Sequence, residues 1–321
     1  EGLGELGLGG EVRAMRGAVD VACSGPLQEL TRVRSATSFS LTVRNEDAGS
    51  SPAQRIAELL GDERTRALLA GLTDGPVAYR LTLAGAGKQR RLRDEIAELV
   101  ARRTGGALQN ASRGHNWDVT AHTSRLGTRL ELTPTFDDQR FAYRVADVPA
   151  ASHPTIAAAL SRVGGARPDD VVWDPFVGSG LELCERARLG PYRKLIGTDT
   201  DPRAVERAQE NLASAKCRDA TVLLMDARRG PPEPITLLLS NPPMGRRVHR
   251  GADLESLLAE VIARAATQLA ERGRLVLLSA RPAATGRAAA ECGLRLVREF
   301  AVDLGGFEAT LQRFDRVRRR V

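Results

Sequence analysis

From Pro154 to the end of the chain, short apolar runs alternate with stretches whose apolar residues recur at helical spacing. That alternation predicts a parallel sheet flanked by helices. Strands are expected at Val171–Trp173, Lys194–Gly197, Thr221–Leu224, Ile235–Leu239, Arg274–Leu278, Leu294–Phe300 and Thr310–Phe314. Between them, Arg203–Ala213 puts Ala204, Val205, Ala208 and Leu212 on one helical face. Asp253–Ala270 carries a clearer stripe of Leu254, Leu257, Leu258, Val261, Ile262, Ala265 and Leu269, with Asp253 as N-cap and Gly273 beyond its end. A turn at Gly305-Gly306 between the last two runs would close the sheet with an antiparallel edge pair. The expectation is an α/β, doubly wound domain with a mostly parallel, seven-stranded sheet.

The first half mixes periods and reads as α+β. Strands are expected at Ala78–Leu83 and Arg129–Leu132, helices near Ala53–Leu60 and Arg93–Arg103, and Trp117 in a core. Gly49-Ser50-Ser51-Pro52 is a candidate joint and Thr133–Pro149 a candidate linker. A length of 321 residues fits two or three domains.

The formal net charge of +7 favours a polyanionic partner, although all but three of the 47 basic residues are arginines, as a GC-rich genome would also give. Cys23, Cys184, Cys217 and Cys292 lack Cys-x-x-Cys spacing, and the four histidines are dispersed. Neither a disulfide framework nor a metal site is expected, and a reducing cytoplasm is the expected compartment. No apolar run approaches the ~20 residues that span a bilayer, so no membrane partner is expected. The chain opens on Glu1 rather than Met, which leaves room for a preceding segment.

Two glycine patterns are decoys. Gly2–Gly7 spells a dinucleotide fingerprint without a strand before it, and Ala86-Gly87-Lys88-Gln89 lacks the hydroxyl that a phosphate loop would follow with. Asp174-Pro175-Phe176-Val177-Gly178-Ser179-Gly180 is different, because a strand precedes it and a helical pattern follows. Glycines at 178 and 180 would let backbone approach a ligand that a Cβ would block. Asp199 falls 19 residues after Gly180 at the end of the next strand, the spacing of a carboxylate that binds ribose hydroxyls. Asp226 ends the strand after that and could accept from an adenine amine. Any one of these could be a plain turn or cap residue; their succession in register points to a cofactor cleft formed by Asp174, Phe176, Gly178, Ser179, Gly180, Asp199, Thr200, Asp226, Ala227 and Asn241.

Asn241-Pro242-Pro243-Met244 follows the fourth strand, which would set it beside that cleft. An amine conjugated to a heterocycle is a poor nucleophile because its lone pair is delocalised. The Asn241 side-chain oxygen and the Pro242 carbonyl can each accept one N–H, turning the nitrogen toward sp³ without an ionisable base. The prolines stiffen the loop that carries both acceptors. A plain β-to-α turn opened by Asn-Pro is the alternative.

With both motifs in place, the chain resembles the THUMP-domain RNA methyltransferases that form N2-methylguanosine, which carry Asp-Pro-Phe-Cys-Gly-Ser-Gly and Asn-Pro-Pro-Tyr-Gly. Arg140–Arg144 followed by Ala151–Leu160 is similar to that family's join between RNA-binding and catalytic halves. The resemblance implies a ferredoxin-like module at residues 1–50, a THUMP module that grips structured RNA at 51–135, a linker at 136–150 and a Rossmann-like methyltransferase domain at 151–321. It further implies S-adenosylmethionine as donor and a catalytic loop of Asn241, Pro242, Pro243 and Met244. Two residues depart from the pattern. Val177 replaces the usual cysteine, and Met244 stands where an aromatic ring would stack on an extruded base, a contact worth ~1–3 kcal/mol.

Lys88, Arg91, Arg140, Arg144, Arg246 and Arg247 are the candidate nucleic-acid contacts, with solvated arginines as the alternative. The reading is methylation of guanine N2 in structured RNA, transfer RNA above all. The same loop would also suit adenine N6 in DNA or glutamine N5 in protein, and a decayed site would leave an RNA-binding protein. The particular nucleotide and the oligomeric state have no signal in the sequence.

Overall fold

A computed structural model describes residues 12–15, 18–22, 30, 32–46, 49–85, 89–135, 139–149, 151–245, 252–304 and 306–317. Lys88, Arg246, Arg247 and Gly305 therefore lie outside the described residues. The chain divides into two compact units, one of residues 37–138 and one of residues 1–36 with 139–321.

Near the N-terminus, β1 (Val12–Met15) and β2 (Ala18–Val21) form an antiparallel hairpin. The unit of residues 37–138 follows with β3 (Leu41–Asn45), α1 (Pro52–Gly61), α2 (Glu63–Gly71), β4 (Val77–Leu83), α3 (Arg90–Thr104), β5 (Leu108–Asn110), β6 (Trp117–Ser124) and β7 (Gly127–Pro134). Its sheet runs β3-β7-β6-β4-β5. Ser51 caps α1 reciprocally with Gln54, and Pro52 sits where its missing N–H costs nothing. Ile56, Leu60, Ile96 and Val100 from the helices meet Tyr79, Leu81, Val119 and Leu130 from the sheet. Trp117 is buried here, as expected, and its ring N–H donates to Thr73 at 2.8 Å. The partition differs from the sequence expectation: β3 pairs with β7 along its length, so this unit begins at Thr37 instead of residue 51, and residues 1–36, expected within a separate module of residues 1–50, group with 139–321. A lone five-residue strand carries no signature of the sheet it will join.

The other unit continues with α4 (Pro154–Gly164), β8 (Val171–Asp174), α5 (Leu181–Arg188), β9 (Lys194–Asp199), α6 (Pro202–Ser214), β10 (Ala220–Leu224), β11 (Ile235–Ser240), α7 (Ala252–Gln268), β12 (Leu269–Ser279), α8 (Pro282–Glu291), β13 (Leu294–Asp303) and β14 (Glu308–Arg316). The seven-stranded sheet has the order β10-β9-β8-β11-β12-β14-β13. Five strands are parallel, and β14 inserts antiparallel between β12 and β13. Both faces are covered. Val172, Leu195, Leu237 and Leu239 pack with Leu160, Leu183 and Leu212 on one side. Trp173, Ile196, Leu238 and Leu275 pack with Val261, Ile262 and Ala289 on the other. Consecutive residues thus serve opposite cores, which is why these strands read as unbroken apolar runs.

Residues 139–149, expected as linker, belong to this unit. Tyr143 is buried and its hydroxyl donates to Glu185 of α5 at 2.6 Å. The same carboxylate takes both arms of the Arg34 guanidinium at 2.7 Å. Asn211 of α6 bonds the backbone of residues 145 and 146 at 2.8–3.0 Å.

At the amino-terminal end of β8, Asp170 is fully buried between Arg186 and Arg274. It accepts from the former at 2.6 and 3.1 Å and from the latter at 2.8 Å on each oxygen. Thr236 of β11 donates to it at 2.9 Å. The two guanidiniums hold its carboxyl well below the usual range despite burial. Asp170→Asn leaves two buried cations without their anion, so urea unfolding should show a loss of about 3–5 kcal/mol at pH 7. Because the folded-state value is depressed, this stability is present above the ordinary carboxyl pKa and is lost as pH falls below it. The gap between wild type and variant should therefore narrow in acid.

Candidate active site

β8 and β11 pair in parallel, with Val172 opposite Leu237 and Trp173 opposite Leu238. From β8 the chain turns on one side to β9, and across β11 the sheet continues the other way. Such a reversal opens a crevice at the carboxyl ends of the strands. The two loops that the sequence singles out, 174–180 and 241–245, leave neighbouring strands at that crevice.

Asp174 ends β8 fully buried. One of its oxygens accepts from Phe176 N–H at 3.1 Å and from the buried Ser240 hydroxyl at 2.7 Å. Its second oxygen, Oδ2, is buried with no hydrogen-bond partner. Burial, then the nearby Glu182, pushes its pKa well above the ordinary value. Gly178 and Gly180 both have positive φ, +49° and +79°. At Gly180 a Cβ would also lie 3.1 Å from the Ala208 Cβ, so glycine sets the approach of α5 to α6. Val177, in place of a cysteine, packs over Gly197 of β9, where a Cβ would come within 2.6 Å. Phe176 packs against the core on the α7 side, and Ser179 is buried, its carbonyl accepting from Asn211 at 2.8 Å.

Asp199 ends β9 as expected and holds the turn in place: one oxygen accepts from Gly178 N–H at 3.0 Å and the other from Asp201 N–H at 3.0 Å. Thr200 beside it is exposed. Asp226 caps a short 3-10 turn and is ion-paired with Arg228 at 2.5 Å. That pairing holds its carboxyl below the usual range. Ala227 is buried behind it.

Asn241 begins the second loop. Its Nδ2 donates to Ser152 Oγ at 2.9 Å, while Oδ1 is buried and has no partner. Ser152 donates in turn to Glu182 of α5. Glu182 is 3% exposed, and burial raises its pKa from the ordinary 4.5 to about 7. Ser152, Glu182 and Ser240 are site residues that sequence reasoning missed. A glutamate on the first turn of a helix reads as a solvated residue, and a serine before a helix cap reads as a turn. Pro242 is buried and Pro243 half-buried. Met244 is half-buried and packs against the core on the α4 side.

The arginine candidates separate. Arg140 is a correction: it is buried, and its guanidinium donates to the carbonyls of Val33 and Ala36 at 2.7 and 2.9 Å, tying residues 33–36 to this unit. A cation at residue 140 satisfied by carbonyls is not offered to phosphate. Arg144 pairs with Asp147 at 2.5 Å. Arg91 is exposed on α3 of the other unit. Among the described residues, no group of three or more His, Cys, Asp or Glu could hold a metal, and no helix is long and apolar enough to cross a membrane.

The signature of the RMKL-like methyltransferase domain family (UPF0020) matches residues 142–310, just over half of the chain. The chain belongs to that family. A tRNA (guanine(6)-N2)-methyltransferase of Thermus thermophilus is 34% identical over 193 residues, covering 59% of this chain and 56% of that protein. A tRNA (guanine(10)-N2)-dimethyltransferase of Methanothermobacter thermautotrophicus is 30% identical over 131 residues, covering 40% and 38%. The chain thus spans about half or less of the length of these relatives. The crystal structure of TrmN from Thermus thermophilus superposes with a TM-score of 0.76 at 23% identity, covering 96% of this chain and 92% of that one. The shared fold is the Rossmann-like methyltransferase fold.

Glu182 offers a pH test of the site. Its raised pKa means that the folded state retains a proton which the unfolded chain has lost, so its contribution is most favourable below pH 4.5 and is lost as pH rises through about 7. Glu182→Gln removes that ionisation. Thermal melting should show the variant gaining on wild type from pH 5 to pH 8; a gap that stays constant would contradict the assignment.

Proposed function

We propose that this chain is an S-adenosylmethionine-dependent methyltransferase acting on guanine N2 in structured RNA, transfer RNA above all. The observation that carries the reading is the buried, unpartnered Asn241 Oδ1 at the end of β11, next to the orphaned Asp174 Oδ2 at the end of β8. Buried polar atoms are nearly always satisfied, so two lone ones on adjacent strand ends fit a crevice completed by a polar ligand.

Asp174, the backbone of Gly178–Gly180, Asp199, and Asp226 with Ala227 would hold the donor. The hydroxyls of a ribose suit the lone pairs left on Asp199, and a cationic group beside Asp174 would favour its ionised form. S-adenosylmethionine supplies an electrophilic methyl group. The protein's part is orientation. Asn241 Oδ1 accepts one N–H of the guanine amine and the Pro242 carbonyl accepts the other, localising the nitrogen lone pair for attack. The donor, when bound, would give up its methyl group and leave as a neutral thioether, and the proton shed by the methylated nitrogen would pass to solvent. No ionisable base touches that nitrogen, and fixed acceptors of this kind lower a barrier because they need no reorganisation. Met244 supplies a polarizable thioether beside the base where a ring would stack.

The RNA partner is supported by the net charge of +7 and by the family's curated relatives. The unit of residues 37–138 contains the THUMP-like RNA-gripping module read at 51–135, with Arg91 of α3 and Lys88 as its contacts and Arg144, Arg246 and Arg247 as contacts around the extruded base. We assign the protein to the cytoplasm, where the free thiols of Cys184, Cys217 and Cys292 would persist.

Asn241→Ala should reduce methyl transfer to unmodified tRNA transcripts at least 100-fold, while calorimetry shows S-adenosylmethionine binding changed less than threefold. Nucleoside mass spectrometry of the wild-type product should show N2-methylguanosine. Turnover retained in the variant, or a methyl group on another base, would overturn the assignment.

A further inference from the structure

We propose that Ser152 and Glu182 are positioning residues that select one of the two orientations of the Asn241 carboxamide, keeping Oδ1 as the end offered to the amine. The proposal deepens the reading of Asn241 given above and rests on it.

The two ends of a carboxamide are nearly equal in size, so packing does not choose between them. Hydrogen-bond polarity does. Ser152 has one hydroxyl proton, and it is given to Glu182 Oε1. What remains on Ser152 is a lone pair, which only the Nδ2 end of Asn241 can satisfy, and Nδ2 sits 2.9 Å away. Oδ1 is thereby left as the acceptor without a donor. The polarity of the relay originates at Glu182, a carboxylate in the protein interior on the first turn of α5. A leucine there would pack without desolvating a charge, so its presence calls for a role other than stability.

The titratable groups around Glu182 are Asp174 from the end of β8 and Glu185 and Cys184 from α5 itself; Arg34 neutralises Glu185, and His153 adjoins Ser152. Burial and the Glu185 carboxylate favour the neutral acid. When Glu182 is protonated it becomes a donor, the Ser152 proton is released toward Asn241, and the preferred orientation of the amide reverses. Burial sets that change near pH 7, so the correct orientation accumulates as pH rises through neutrality.

The test uses the full-length chain, labelled with ¹⁵N and free of ligands. The Asn241 side-chain NH₂ pair is identified by its loss in Asn241→Ala. In wild type this pair should shift along a one-proton titration near pH 7, whereas in Glu182→Gln and Ser152→Ala it should not titrate, and Ser152→Thr should restore the shift. In parallel, with unmodified tRNA transcripts, Glu182→Gln and Ser152→Ala should lower kcat about tenfold with KM within twofold, and the rise of kcat through pH 7 should be absent from Glu182→Gln. An Asn241 pair that ignores pH in wild type, or that titrates alike in Glu182→Gln, overturns the proposal without recourse to any variant's activity. A pair that titrates as stated in a protein that methylates no RNA would uphold the positioning and dismiss the guanine-N2 reading.

Discussion

Everything at the site follows from the parallel pairing of β8 with β11 at the point where the sheet reverses direction. That pairing sets the ends of two strands, distant in sequence, side by side and lets their loops diverge into a crevice. The hydrogen bond from Ser240 to Asp174 crosses between the same two strands, so the backbone register and a side-chain contact fix the same geometry. Two covered faces then make the arrangement rigid: Leu237 and Leu239 point into one core while Leu238 points into the other.

The two ends of β8 treat buried charge in opposite ways. At its amino-terminal end Asp170 is fully compensated by Arg186, Arg274 and Thr236. At its carboxyl-terminal end Asp174, with Glu182 nearby, has hydroxyls and one backbone N–H for company and, among the described residues, no cation. The first arrangement stabilises the ionised carboxylate; the second raises the affinity for protons. Uncompensated buried carboxylates of this kind gather where ligands bind, since a polar or cationic ligand supplies what the fold withholds. The family's methyl-transfer chemistry is consistent with that asymmetry, because it asks the protein for fixed acceptors rather than for a strong base.

Much of the unit that holds the seven-stranded sheet was legible in the chain because its strands are buried on both faces and its turns are spelled by glycine and proline. The seven strands and the two loops lie where the runs suggested; α7 does so up to Gln268, but Asp253 lies within its first turn rather than capping it, and Leu269 and Gly273, expected as the helix's last stripe residue and its terminator, belong to β12. Other features had no local signal. β3, Leu-Thr-Val-Arg-Asn, carries no sign of its partner until β7 receives it, and residues 139–149 look like a linker until Tyr143 and Asn211 bind them down. Arg140 shows only its charge in sequence, which suggests a phosphate contact; its burial against two carbonyls depends on a segment over a hundred residues earlier.

The sequence by itself determined the strands of the larger sheet, the glycine turns at 178 and 180 and the position of the amide at 241, because periodicity, φ freedom and chain rigidity act over a few residues. Only the tertiary structure decided which end of that amide is free. Ser152 lies 89 residues before Asn241 and Glu182 another 30 from Ser152, and the direction of a hydrogen bond exists only once packing has brought donor and acceptor together.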